Sequence, residues 1–295
     1  MKWNHQQLRE AALAQSRRWQ LPLRGRLWSG RSGEFAGKGM GASLDFQDHR
    51  DYAPGDDPRH INWQAYASSG NYLIKQYREE VSPTVEIILD TSSSMFLNDT
   101  KGRRSLELFY LFLSLAESVG AQVRVHLQHE LEVQSVEKDA AKSDLWWEAV
   151  LQKQKQASRV EHSVKKADLS AITFLPGSLR VWISDLLFEA DPTAWVRPVT
   201  ERQGVLMVVV PFAQVEARPD WRGQGEFRDV ESGERLTTRV DERFLKTYQA
   251  SYARHFSLWE QAVRSAGGEM GRVSDSESLE ASLLEEVVPR RLLAV

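Results

Sequence analysis

The chain has 295 residues, 41% of them hydrophobic and 27% charged, with a formal net charge of −3. That balance is ordinary for a globular protein of one or two domains and excludes a disordered or collagen-like polymer. There is no cysteine, so disulfides, thiolate metal sites, iron–sulfur clusters and cysteine nucleophiles are excluded.

In chain order, residues 1–10 (MKWNHQQLRE) hold no apolar signal-peptide core, and a cytoplasmic location is expected. Residues 1–40 carry eight Lys/Arg against two Glu, so the remainder is net acidic. Such a basic arm could touch phosphates or an acidic protein. The acidity of the rest argues against a nucleic-acid binder. Residues 5–20 predict a short helix with Leu8, Ala12 and Trp19 roughly on one face. Residues 24–44 are glycine-rich and predict loop or irregular hairpin. Gly33 to Lys38 falls short of a phosphate-binding loop, because three residues separate its glycines and Gly39 follows the lysine. Gly55-Asp56-Asp57-Pro58 is a strong turn signal, and residues 72–77 (YLIKQY) predict a strand.

From residue 84 the pattern changes. Residues 84–89 (TVEIIL) predict a strand ending at Asp90, and residues 105–119 an apolar helix closed by Gly120. Residues 122–128 and 131–136 predict two tightly joined strands, and residues 143–156 a helix. Trp146 and Trp147 cannot both point inward from one helix, which predicts one exposed on a contact surface. Residues 179–183 predict a buried strand ending at Ser184-Asp185, and residues 192–203 a helix. Another buried strand covers 205–210; the surrounding run GVLMVVVPF is the longest apolar stretch and is too short for the ~18 residues of a membrane helix. Residues 226–240 predict a hairpin, and 241–266 a long helix with Phe244, Tyr248, Tyr252, Phe256, Trp259 and Val263 in one stripe. A short strand near Val273 and a helix over 276–288 close the chain. Continuous apolar strands alternating with helices imply an open, mostly parallel α/β sheet over residues 84–295. Residues 1–83 are an irregular/β extension to it.

The chemistry gathers at residues 86–95, EIILDTSSSM. A buried strand ends in Asp90, Ser92 and Ser94, and ligands collect outside the carboxyl ends of strands in open α/β sheets. Asp185 ends a second strand and is expected at the same edge. Two carboxylates and two hydroxyls with room for water suit a small hard cation, magnesium first and manganese second. The seven histidines show no metal-ligand spacing. In the bland alternative, Asp90, Ser92 and Ser94 tighten a loop or cap a helix.

Asp90-x-Ser92-x-Ser94 after an apolar strand resembles the metal-ion-dependent adhesion site of von Willebrand factor A domains. Upstream, Gly33-Glu34-Phe35, Asp48-His49-Arg50-Asp51-Tyr52, Gly55-Asp56-Asp57-Pro58-Arg59 and Ile61-Asn62-Trp63 resemble the bacterial family labelled domain of unknown function 58. The resemblance runs from about Arg24 to the final helix. It implies a von Willebrand A-like sheet flanked by helices, Mg²⁺ (or Mn²⁺) held by Asp90, Ser92, Ser94 and Asp185, and a MoxR-type AAA+ ATPase as partner, since members are typically encoded beside one. Two departures stand out. Asn62 occupies a position where the family often has aspartate. The loop 157–163 (ASRVEHS) has no threonine to complete the site, leaving Ser163, or else Ser158, as the hydroxyl donor.

The resulting expectation is a non-enzymatic adaptor. A cation with one open coordination position would be completed by an acidic residue of a protein ligand, and the turn residues Asp56, Asp57 and Arg59 are secondary candidates for partner contact. The runner-up is a metal-dependent hydrolase or phosphatase using Asp90. It lacks the second aspartate two residues on, where Ser92 stands, and no Gly-x-Ser-x-Gly elbow is present.

Overall fold

Helix α1 (His5–Ser16) begins where the Asn4 side chain accepts a hydrogen bond from the Gln7 amide. Its Leu8 and Ala12 are buried. The computed structural model describes residues 3–23, 44–79, 83–129, 132–143, 145–157, 166–228 and 235–295. All but the last residue of the glycine-rich stretch 24–44, and the residues 231–234 at the turn of the expected hairpin, lie outside the described residues. Two compact units result, one formed by Met1–Leu27 with Pro83–Val295 and the other by Trp28–Ser82.

The smaller unit is an antiparallel pair, β1 (Leu44–Asp51) with β2 (Leu73–Glu79), with a short 3₁₀ turn (Pro58–His60) and helix α2 (Trp63–Ser69) between them. Its polar string has a physical reading. Arg50 makes a two-pronged pair with Asp56, at 2.7 and 2.6 Å, and Asp56 also accepts from the Ala53 amide. Asp57 caps the 3₁₀ turn and pairs with Arg59. Asn62 caps α2 through the Ala65 amide and meets His49 at 2.6 Å. Gly55 sits at φ +110°, a conformation open to glycine at little cost. Asp56, Asp57 and Arg59, candidates for partner contact, are thus each engaged in holding this turn. Strand β1 and helix α2 are not expected from the sequence, because charged and aromatic residues there follow neither periodicity.

The larger unit carries the sheet. Its strands are β3 (Thr84–Asp90), β4 (Gln122–Gln128), β5 (Val133–Val136), β6 (Leu179–Ile183), β7 (Val205–Phe212) and, later, β10 (Glu269–Ser274). Between them run helices α3 (Asp99–Ser118), α4 (Lys138–Lys142), α5 (Leu145–Ala157), α6 (Pro192–Thr200) and α7 (Gln214–Ala217). A further hairpin, β8 (Gly223–Arg228) with β9 (Arg235–Val240), precedes the long helix α8 (Glu242–Ser265), and α9 (Leu279–Ser282) continues into a wider helical turn, Leu283–Val287. The sheet order is β10-β7-β6-β3-β4-β5, parallel throughout except for the edge strand β5. The chain builds outward from β3 to β5, then returns to β6 on the other side of β3. The switch point of the topology therefore lies between β3 and β6.

Two apolar layers cover the sheet. On one face β3 and β4 pack through Ile87, Leu89 and Val125 against α3, α5 and α1. On the other, Ile88, Trp182 and Val208 meet α6 and α8 through Val196, Phe256 and Trp259. Helix α1, expected in the extension, falls with the sheet because its buried face lies against α3. Both Trp146 and Trp147 are buried, at 5% and 0% exposure, against the expectation of one exposed. The N-terminal segment supplies the missing cover: the Trp3 ring lies 5.7 Å from Trp147, and His5 lies 6.0 Å from Trp146. No helix among the described residues is long and apolar enough to cross a membrane.

Candidate functional site

Parallel pairing of β3 with β6 aligns Leu89 with Ile183, so the next residues, Asp90 and Ser184, meet at the carboxyl edge beside the switch point. Ser184 donates from Oγ to Asp90 Oδ2 at 2.6 Å. Asp90 Oδ1 accepts from the Ser92 amide at 3.0 Å and from its hydroxyl at 2.6 Å. The amide bond closes a local turn of the kind aspartate favours. Ser94 Oγ is 3.1 Å from Ser92 Oγ and lies in the 3₁₀ turn Ser93–Phe96. Asp90, Ser92 and Ser184 are fully buried, and Ser94 is half-buried. The Ser92 hydroxyl turns inward to the carboxylate.

Lysines complete the arrangement. Lys166 Nζ bonds Asp90 Oδ2 and lies 3.2 Å from Ser92 Oγ, with Phe188 beneath it at 4.3 Å. Lys101, set in the first turn of α3 by the Asn98 cap, reaches Asp185 Oδ2 at 3.0 Å and Glu216 Oε1 at 2.6 Å. Burial pushes the Asp185 carboxyl up, but Lys101 and then Lys166 outweigh it and hold the group below its ordinary range. Burial likewise pushes Lys101 down, and Asp185 with Glu216 overcome it, so its ammonium is held above its ordinary value. Behind the rim, Thr91 donates to the Gln128 carbonyl and sits 2.7 Å from His129 Nδ1. Burial first, and Lys153 second, push His129 down to about 4.

The structure thus brings Asp90, Ser92 and Ser94 together and places Asp185 one residue beyond Ser184. Ser163, Ser158 and the rest of that loop up to residue 165 lie outside the described residues. Sequence reasoning misses Ser184, Lys166, Lys101 and Glu216. The apolar pattern starts the helix containing Lys101 only at residue 105, because the polar run TKGRR conceals the buried Lys101 and Arg104. No periodicity marks Lys166. As placed, the residues do not fit a bound divalent ion: each rim carboxylate already holds an ammonium, and no group of three or more His, Asp or Glu suited to a metal occurs among the described residues.

The family described as "Protein of unknown function DUF58" matches residues 48–257. No curated protein matches the chain. Among solved structures, an aerotolerance-related membrane protein from Bacteroides fragilis NCTC 9343, carrying multiple mutations to serines, is similar at 16% identity and a TM-score of 0.39. The similarity covers 70% of this chain and 100% of that one.

Proposed function

The chain belongs to the DUF58 family, and from that premise we propose that it is a non-enzymatic protein-binding adaptor whose contact surface surrounds the carboxyl edge of β3. One observation carries this reading: the reactive groups at the rim are consumed internally. Asp90, the candidate nucleophile at the strand end, accepts four hydrogen bonds across its two oxygens. A carboxylate so engaged is a poor attacking group. Ser92 donates to that carboxylate, and the Lys166 ammonium beside it is paired with the same group. That pairing removes a serine–lysine couple as nucleophile and base. What the rim offers outward is the half-buried Ser94 and, three residues on, Leu97 at 67% exposure.

The implied partner is a MoxR-type AAA+ ATPase, with this chain presenting a client for remodelling or complex maturation. The supporting reasoning is the family resemblance together with a rim suited to contact and unsuited to turnover. Binding of the purified chain to the MoxR-type ATPase of the same cell, read by biolayer interferometry, tests it. Leu97→Glu combined with Ser94→Arg is expected to weaken binding by about 2–4 kcal/mol, the range for disrupting side chains at the centre of an interface, with the melting temperature nearly unchanged. Equal affinity of the wild type and the double variant would remove the rim from the interface. Phosphatase turnover that disappears in Asp90→Asn would instead establish the hydrolase.

A further inference from the structure

Holding a magnesium ion at Asp90 requires a free carboxylate oxygen and hydroxyls open toward the ion. Asp90 has neither to spare: Ser92 occupies Oδ1 twice, while Ser184 and the Lys166 ammonium occupy Oδ2. Among its contacts the ammonium meets the Asp90 carboxylate and the Ser92 hydroxyl, the same two donor types that a magnesium ion would recruit there. Lys166 is not a surface side chain that swung in by chance of exposure. It is 9% exposed as a residue, and its charged end lies over the face of Phe188. A divalent ion entering this water-poor corner would meet that fixed positive charge at close range, with Lys101 supplying a second one at the neighbouring acid.

We propose that Lys166 is a built-in cation. Its ammonium takes the position of the divalent ion at the end of β3, so the rim is complete without metal. A tethered ammonium cannot be chelated or exchanged, so contact at this edge does not switch with divalent concentration. A partner's acidic residue has no open metal position to fill. The inference concerns the rim itself and does not need the adaptor reading. If it fails, that reading stands in a cation-dependent form.

The test uses the full chain and the metal alone. Calorimetric titration of the wild type with Mn²⁺ or Mg²⁺ at millimolar concentration is expected to give no saturable heat, and its melting temperature is expected to be equal in magnesium and in chelator. Lys166→Ala is expected to gain one Mn²⁺ site, at least about tenfold tighter than any wild-type binding, with a melting temperature that rises on adding the ion. Lys166→Ala with Asp90→Asn is expected to lose that gain. A one-to-one wild-type isotherm that vanishes in Asp90→Asn overturns the proposal, as does a folded Lys166→Ala chain that takes up no ion. Should Lys166→Ala fail to fold, the wild-type titration decides alone, since saturable binding there is incompatible with an ammonium in the ion's place.

Discussion

At the scale of single residues, Lys101 shows what a buried charge costs once its partner is removed. Lys101 and Asp185 are each 1% exposed, so neither can turn to water. Lys101→Met takes the directly bonded ammonium away from the buried Asp185 carboxylate and leaves it the charge of Lys166 alone. A loss of ~3–5 kcal/mol in urea unfolding is expected, as for other broken buried pairs. Adding Asp185→Leu is expected to recover much of it, because an apolar pair of similar volume has no charge to desolvate. A double variant no more stable than Lys101→Met would locate the cost elsewhere. His129 adds a pH dependence. Folded, its imidazole is pressed down to about 4; unfolded, it protonates near 6.5. As pH falls from about 6.5 toward 4, the unfolded chain takes up a proton that the folded chain refuses, and stability drops. The whole displacement is worth up to about 3 kcal/mol. Asp185 acts in the same direction at lower pH. Its carboxyl is held below its ordinary value of 3.8, so its contribution is present above that value and is lost as pH falls through the folded one. His129→Gln is expected to flatten the stability curve between pH 6.5 and 4; curves that superimpose would clear His129 of the effect.

At the scale of elements, the long helix α8 is legible because its apolar residues repeat at helical spacing along most of its length. The stripe divides its labour. Phe256, Trp259 and Val263 are buried under the sheet, while Phe244 stacks on Phe227 and Tyr248 meets Trp221 next to the β8–β9 hairpin. Phe256 is 5% exposed and packs against Tyr252, with the Arg272 guanidinium 4.0 Å from its ring. Phe256→Ala is expected to cost ~3–5 kcal/mol by chemical denaturation, and a loss below ~1 kcal/mol would mean that the stripe does not bury here. The same physics explains which other elements could be read. Strands β3, β6 and β7 are buried on both faces and mostly apolar, as expected of parallel strands between two helical layers, with Glu86 and Arg180 the buried charges in β3 and β6, and their starts match expectation to the residue. Strand β10 is expected near Val273 yet begins at Glu269, because Gly271 and Arg272 break the apolar run. Asp90, Ser92 and Ser94 are legible as a group from strand-end placement. Their lysine partners are not, since Lys166 lies 76 residues from the carboxylate it bonds and nothing local in its surroundings marks it as buried.

At the scale of the whole sheet unit, the N-terminal helix is structural cover for the tryptophan-rich face. The His5 imidazole lies 2.8 Å from the Tyr110 hydroxyl on α3, and Trp3 meets both Phe96 and Trp147. Beyond the helix, Gln20 and Ala294 exchange two backbone hydrogen bonds, at 2.8 and 2.9 Å, which ties this segment to the buried Leu292–Leu293 pair. A helix this short has little stability of its own in water, so its order depends on Leu8 and Ala12 staying packed on α3. Leu8→Asp with Ala12→Asp places two unpaired carboxylates in that packing and is expected to undock the helix while the sheet persists. Trp146 and Trp147 then meet water, so tryptophan emission should shift to the red. The melting temperature should fall by roughly 5–15 °C, at about 2–4 °C per kcal/mol for a unit of this size. Proteolysis should newly cut within residues 3–23 while the sheet core resists. Unshifted emission with an unchanged cleavage pattern would mean that α1 does not seal this face, and the burial of both tryptophans would need another cause.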